Sequence, residues 1–186
     1  EGKDKRFRQI VMERFPEIFT EQDTSLCVRT LGLIGRKREY RYIKRKYVEH
    51  EDWIDRYKVF VPFSNGASGT LGSEAARIIS KPAIGYPNDG MTQTFIGVGS
   101  FSSSEEAENL RKYILSKFAR VLLGALKVTQ GNKPETWAFV PLQDFTPASD
   151  IDWSVSIRDI DQQLYKKYGL SQQEIDFIES HVKEMA

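Results

Sequence analysis

Leu26-Cys27-Val28-Arg29-Thr30-Leu31-Gly32-Leu33-Ile34, then Gly35-Arg36-Lys37, then Glu39-Tyr40-Arg41-Tyr42-Ile43 is the stretch on which the fold class turns. Both flanks are rich in branched and aromatic residues and a glycine-led turn separates them, so the pattern predicts two strands joined as a hairpin. Arg36, Lys37, Arg38, Arg41, Lys44, Arg45 and Lys46 lie on or beside it, opposed only by Glu39. Cations on adjacent strands can straddle phosphates and release counterions, and arginine forks can read guanine edges. Tyr40, Tyr42 and Tyr47 are interleaved with them and could pack on sugars or donate to phosphate. A solvated hairpin whose aromatics turn into the core fits the same residues, and both readings stand at this level.

Outward from the hairpin, Tyr57-Lys58-Val59-Phe60-Val61, closed by Pro62, and Thr92-Gln93-Thr94-Phe95-Ile96-Gly97-Val98 read as further strands. Ser64 to Gly72 is a loop by composition. Ser103 and Glu106 form a capping-box pattern, followed by Leu110, Tyr113, Ile114, Phe118, Val121, Leu122 and Ala125 at helical spacing. One long helix over Glu105–Lys127 is expected. A short helix over Asp4–Arg14 ends before Pro16, and Val140-Pro141-Leu142 reads as a strand.

Near the end, Ile157, Ile160, Leu164 and Tyr168 mark a helix stopped by Gly169, and Ser171 with Glu174 caps another carrying Ile175, Ile178 and Val182. Asp144, Asp150, Asp152, Asp159, Asp161, Glu174, Asp176, Glu179 and Glu184 outnumber Arg158, Lys166, Lys167 and Lys183 there. That balance favours a plain helical hairpin over a helix-turn-helix DNA reader. The expected fold is α/β of the α+β kind: a curved, mostly antiparallel sheet packed against one long helix. Residues 1–145 would form the main domain and 146–186 a helical appendage.

The chain of 186 residues is long enough to bury a real core, and 40% apolar with 28% charged residues is the balance of a folded soluble protein. No apolar run is long enough to span a bilayer, so a membrane protein is not expected. Cys27 is the only cysteine, which rules out an internal disulfide and suits a reducing cytoplasm. The start, Glu1-Gly2-Lys3-Asp4, has neither Met nor an apolar signal region and reads as trimmed. The formal charge of +1 conceals a basic front and an acidic tail, an asymmetry that would let one end face a polyanion while the other avoids it.

Catalytic signatures are not found. No two prolines are adjacent, so the Asn/Asp-Pro-Pro-aromatic loop that grips a flipped base is missing. Gly97-Val98-Gly99 runs into a Ser/Glu stretch without the third glycine of a nucleotide fingerprint, and Ser64–Gly72 lacks the Lys-Ser/Thr of a P-loop. An acid two residues before a lysine, as in metal-dependent nucleases, occurs only at Glu1 and Lys3. His50 and His181, with one cysteine, give no zinc spacing and read as surface residues.

Tyr57-Lys58-Val59-Phe60-Val61-Pro62, Thr94-Phe95-Ile96-Gly97-Val98-Gly99-Ser100-Phe101 and Lys117-Phe118-Ala119-Arg120-Val121-Leu122-Leu123-Gly124 come in order along the chain. Trp137-Ala138-Phe139-Val140-Pro141-Leu142-Gln143-Asp144-Phe145, Ser149-Asp150-Ile151-Asp152-Trp153-Ser154 and Ile160-Asp161-Gln162-Gln163-Leu164-Tyr165-Lys166-Lys167-Tyr168-Gly169-Leu170 follow. Together, from about Leu31 to Met185, they resemble the C-terminal target-recognition region of adenine-specific (N6) DNA methylases of bacterial restriction–modification systems. The resemblance implies a catalytic half, upstream in the same polypeptide, that binds S-adenosylmethionine and methylates adenine, some members also carrying a nuclease. This part would read double-stranded DNA, with no catalysis and no cofactor of its own. An interaction domain for the catalytic part or a partner subunit, or part of a restriction endonuclease, are the alternatives.

The positions the resemblance carries over, Phe118, Leu122, Leu123, Trp137, Phe139 and Trp153, are structural. DNA contacts therefore come from charge: Arg36, Arg38 and Arg41 as base or phosphate forks, Lys37, Lys44, Lys46 and Lys58 on phosphates, with Arg45 in the same cluster. Ser64 and Asn65 open the loop that would touch the backbone, and Asn65 could read adenine.

Overall fold

The computed structural model describes residues 8–20, 26–48, 52–65 and 70–185. In chain order the strands are β1 (Phe19–Thr20), β2 (Cys27–Ile34), β3 (Lys37–Lys44), β4 (Tyr57–Pro62), β5 (Ala83–Gly85), β6 (Asp89–Met91) and β7 (Phe95–Phe101). The helices are α1 (Gln9–Arg14), α2 (Ser104–Leu115), α3 (Lys117–Leu126), α4 (Ile157–Lys167) and α5 (Gln172–His181). Of the expected Asp4–Arg14 helix, Asp4 to Phe7 lie outside the described residues.

The expected hairpin forms: β2 and β3 pair antiparallel from Cys27 opposite Lys44 to Ile34 opposite Lys37. Its sheet has the order β1-β3-β2-β6, with β6 parallel to β2. A second sheet, β5-β4-β7, is antiparallel throughout. The α+β class and the mostly antiparallel pairing hold, but the strands divide between two small sheets instead of sharing one. Leu31, Phe60 and Phe95 are buried between them, with Leu33, Tyr40, Trp53, Ala83 and Met91 around the rim. Full burial of each such side chain is worth roughly 1.5–3 kcal/mol.

Where one long helix was expected, the chain breaks at Ser116. That residue is extended (φ −60°, ψ 147°), and its side chain accepts from the Ala119 N–H to start α3. A serine competes well for an N-cap, but a new helix start also exposes unpaired N–H groups. Asp161 of α4 supplies the partner, its carboxylate accepting from the Lys117 N–H at 3.0 Å and the Phe118 N–H at 2.9 Å. The apolar spacing runs through the break because Tyr113, Ile114, Phe118 and Leu123 all enter one core.

That core also holds Val59 and Val61 from β4 and Ile160, Leu164, Tyr165, Ile178 and Val182 from the C-terminal segment. Phe145 and Trp153, which flank the boundary expected after Phe145, are both buried in this core. α4 and α5 form as their caps foretell: Ser171 and Glu174 make a full capping box, and Gly169 takes φ +63° between the helices. Val140-Pro141-Leu142 is not a strand. A single turn over Pro134–Trp137 precedes it, Pro141 has no N–H to give a ladder, and Leu142 stands 91% exposed.

Two buried cations tie the helices to the connection before β5. Arg120 donates from Nε to Leu115 O (3.0 Å) and Ser116 O (3.2 Å) and from Nη1 to Arg77 O (3.1 Å). Burial pushes its guanidinium down to about 10. Lys127 donates to Ile78 O at 2.6 Å, and burial pushes it down to about 8. Between those two acceptors Ile78 sits at φ +67°, an unfavourable backbone state for a branched residue.

Candidate nucleic-acid interface

The hairpin turns through Gly35 and Arg36 alone, at φ +53° and +70°. Two left-handed residues in a two-residue loop match the twist of the flanking strands, but the second position usually falls to glycine. An arginine there costs roughly 1 kcal/mol.

Both faces of the hairpin are covered. On one, Val28 and Ile43 pack with Met12 of α1 and Phe19, and the Met12 sulfur fills the space over Gly32. On the other, Leu31 and Tyr40 face the second sheet. The hairpin therefore cannot lie flat in a DNA groove; its tip and its base remain. At about 3.3 Å per residue these are about 23 Å apart, so the basic cluster of the sequence is two clusters in space.

At the tip Arg36, Lys37 and Arg38 are exposed. Arg38 donates to Lys81 O at 2.7 Å and holds its guanidinium over the Phe95 ring at 5.7 Å. At the base Lys44 and Lys46 are exposed, Lys46 lying 5.0 Å from the Tyr47 ring. Arg41, half-buried, is paired with Glu39 at 2.8 Å. Arg45 is committed to both oxygens of Asp55 (3.0 and 2.7 Å) and to Asn88 (2.8 Å). Tyr40 is not a surface aromatic: Arg29 stacks on its ring at 4.5 Å while binding Asp89 with two hydrogen bonds.

Lys58 corrects the expectation of a phosphate contact. It is wholly buried, donates to Ile54 O (2.7 Å) and Tyr86 O (2.9 Å), and burial pushes it down to about 8. Its work is to close the turn before β4 against the turn before β6.

Ser64 and Asn65 begin the loop flagged in the sequence; residues 66–69 of it lie outside the described residues. Ser64 bridges Gly131, the Asn65 N–H donates to Gln130 O at 3.3 Å, and the Asn65 side chain accepts from the Ser80 hydroxyl. Ser80 is next to Lys81, which carries Arg38. These links join the hairpin tip, Ser80-Lys81, Ser64-Asn65 and the segment from Gln130 to Lys133 into one edge. Lys81, Gln130 and Lys133 are exposed members that sequence reasoning missed. Among the described residues, Arg36, Lys37, Arg38, Lys81 and Lys133 make no ion pair with a carboxylate.

Gly97 and Gly99 lie on β7, where a side chain would collide with Trp53 in one case and with Phe101 and Leu110 in the other. Their missing side chains make room for protein, not for a cradled nucleotide. On the helical side, Phe118, Val121, Leu122, Leu170, Phe177 and Ile178 line an apolar groove of about 440 Å³. No helix among the described residues is long and apolar enough to cross a membrane. No family model, curated protein or solved structure matches this chain.

Proposed function

We propose that this chain is the duplex-DNA reading part of an adenine-specific DNA methylase of a restriction–modification system. Methyl transfer from S-adenosylmethionine would belong to a catalytic domain of the same polypeptide, and the reaction needs nothing from the residues described above. One observation carries the reading: the hairpin tip and the Ser64-Asn65 loop, distant in sequence, meet through Arg38–Lys81 and Ser80–Asn65. The resulting edge combines exposed cations, which hold phosphates, with the exposed amide of Gln130, which can read a base.

The test is binding of a labelled random-sequence duplex, followed by anisotropy over a salt series. Each phosphate contact contributes about −0.9 to the slope of log K against log salt. The triple variant Arg36→Glu, Lys37→Glu, Lys81→Glu is expected to lower that slope by about 3 and to weaken binding to every sequence alike. No binding by the parent chain at low salt, or an unchanged triple variant, rejects the proposal.

The apolar groove between α3 and α5 favours a second reading, in which the chain contacts the catalytic part or a partner subunit. Phe177 stands 47% exposed at its rim. The two readings separate cleanly: Leu122→Asp with Phe177→Asp would abolish subunit contact and leave duplex binding intact.

A further inference from the structure

Val128 and Thr129 lead into the edge just described, which they enter at Gln130. Val128 is 90% exposed, and Thr129 and Gln130 are exposed beside it. A branched apolar side chain in water gains nothing from burial, yet this segment is tied by hydrogen bonds at both ends. Before it, buried Lys127 is fixed to Ile78 O at 2.6 Å. After it, fully buried Asn132 donates from its side chain to Pro62 O at 2.8 Å and from its backbone to Phe63 O at 2.7 Å. Gly131 is bridged to Ser64, and Gln130 O accepts from Asn65. The Gln130 amide makes no hydrogen bond to another described residue.

We infer that Val128, Thr129 and Gln130 read an adenine–thymine pair in the major groove. The inference rests on the duplex-reading function proposed above. A glutamine amide donates to N7 and accepts from N6 of adenine in one plane, and valine or threonine methyls pack on the thymine methyl. Lys133, Lys81 and the hairpin tip flank the segment and would hold the phosphates that set its register. These ties matter because bidentate readout tolerates little displacement.

The experiment is selection from a random-sequence duplex pool at fixed salt, with sequencing of the bound fraction, for the full chain and for Gln130→Ala, Val128→Ser and the tip triple variant. The parent is expected to enrich a motif containing an adenine that Gln130→Ala no longer requires, discrimination there falling about 5- to 150-fold. Val128→Ser is expected to relax the paired thymine, so that uracil substitutes for it. Both variants should keep the parent's salt slope and melting temperature, since these side chains are exposed. A parent that binds duplex but enriches no motif overturns the inference, as does a Gln130→Ala protein that enriches the same motif equally. A parent that binds no duplex at low salt instead sinks the function itself, and the inference with it.

Discussion

At the hairpin tip Arg36, Lys37 and Arg38 are exposed and, among the described residues, have no carboxylate partner. On the helical side Arg120 is 1% exposed and Lys127 3% exposed, Arg120 donating from Nε and Nη1 and Lys127 from Nζ to backbone carbonyls. The same residue types thus do opposite work within one chain. In the core, irregular backbone around Ile78 and the break between α2 and α3 leave carbonyls that no ladder satisfies, and a long cation reaches them. At the tip Arg38 alone reaches such a carbonyl, that of Lys81, while Arg36 and Lys37 extend into solvent. A net charge of +1 sums these two populations and describes neither.

The largest expected effect comes from removing a buried cation. Arg120→Ala takes the guanidinium donors from the carbonyls of Leu115 and Arg77, while Ser116 O keeps the backbone N–H of residue 120, and it empties the volume of one of the largest fully buried side chains. The expected loss is about 3 kcal/mol or more, which for a chain of this size is a fall of roughly 6–12 °C in melting temperature. Lys37→Ala at the tip is expected to change stability by less than about 0.5 kcal/mol. Thermal unfolding of the two variants side by side measures the contrast; equal stabilities would erase it.

A smaller effect tests how charge is held between α3 and α4. Burial pushes Asp161 up to about 6 from the ordinary 3.8, although the N–H groups of Lys117 and Phe118 and the charge of Arg120 pull the other way. The folded protein thus keeps a proton that the unfolded chain releases. The stabilisation from that proton is complete below about 3.8 and is lost as pH rises through about 6. Over this window it amounts to about 3 kcal/mol. Asp161→Asn removes the titration, so the stability of the parent relative to this variant should fall between pH 4 and pH 7 in urea unfolding. Parallel profiles would show that Asp161 is solvated, and that the core does not hold its charges as described.

Local signals in the sequence carried the elements, and long-range pairing decided the site. The capping boxes at Ser103 and Ser171 and the glycine turn of the hairpin are self-contained, so they could be read directly. The break at Ser116 could not, because the donor groups it exposes are satisfied by Asp161, far along the chain, while the apolar spacing continues undisturbed. β5 and β6 are three residues each, too short for alternation to show. Of the candidate contacts, the tip residues were legible as a cation run in a turn. Lys58 was misread because nothing local shows that carbonyls of Ile54 and Tyr86 converge on it. Lys81, Gln130 and Lys133 were passed over because each belongs to the edge only through tertiary contacts.

The smallest effect is the most discriminating, because its sign differs between stability and binding. Arg36 holds φ +70° at the tip, a state that glycine adopts without steric cost. If the arginine is there for a partner, Arg36→Gly relieves about 1 kcal/mol of backbone strain, partly offset by the greater freedom of glycine in the unfolded chain. The net expectation is a gain of about 0.5 kcal/mol, or a rise of roughly 1–2 °C in melting temperature. Duplex affinity should fall at the same time, with the salt slope smaller by about 0.9. Arg36→Lys keeps both the strain and the charge, so it should retain the slope and gain no stability. A less stable Arg36→Gly protein would mean that this side chain supports the fold as Arg120 does, and the distinction between tip and core would fail at its sharpest point.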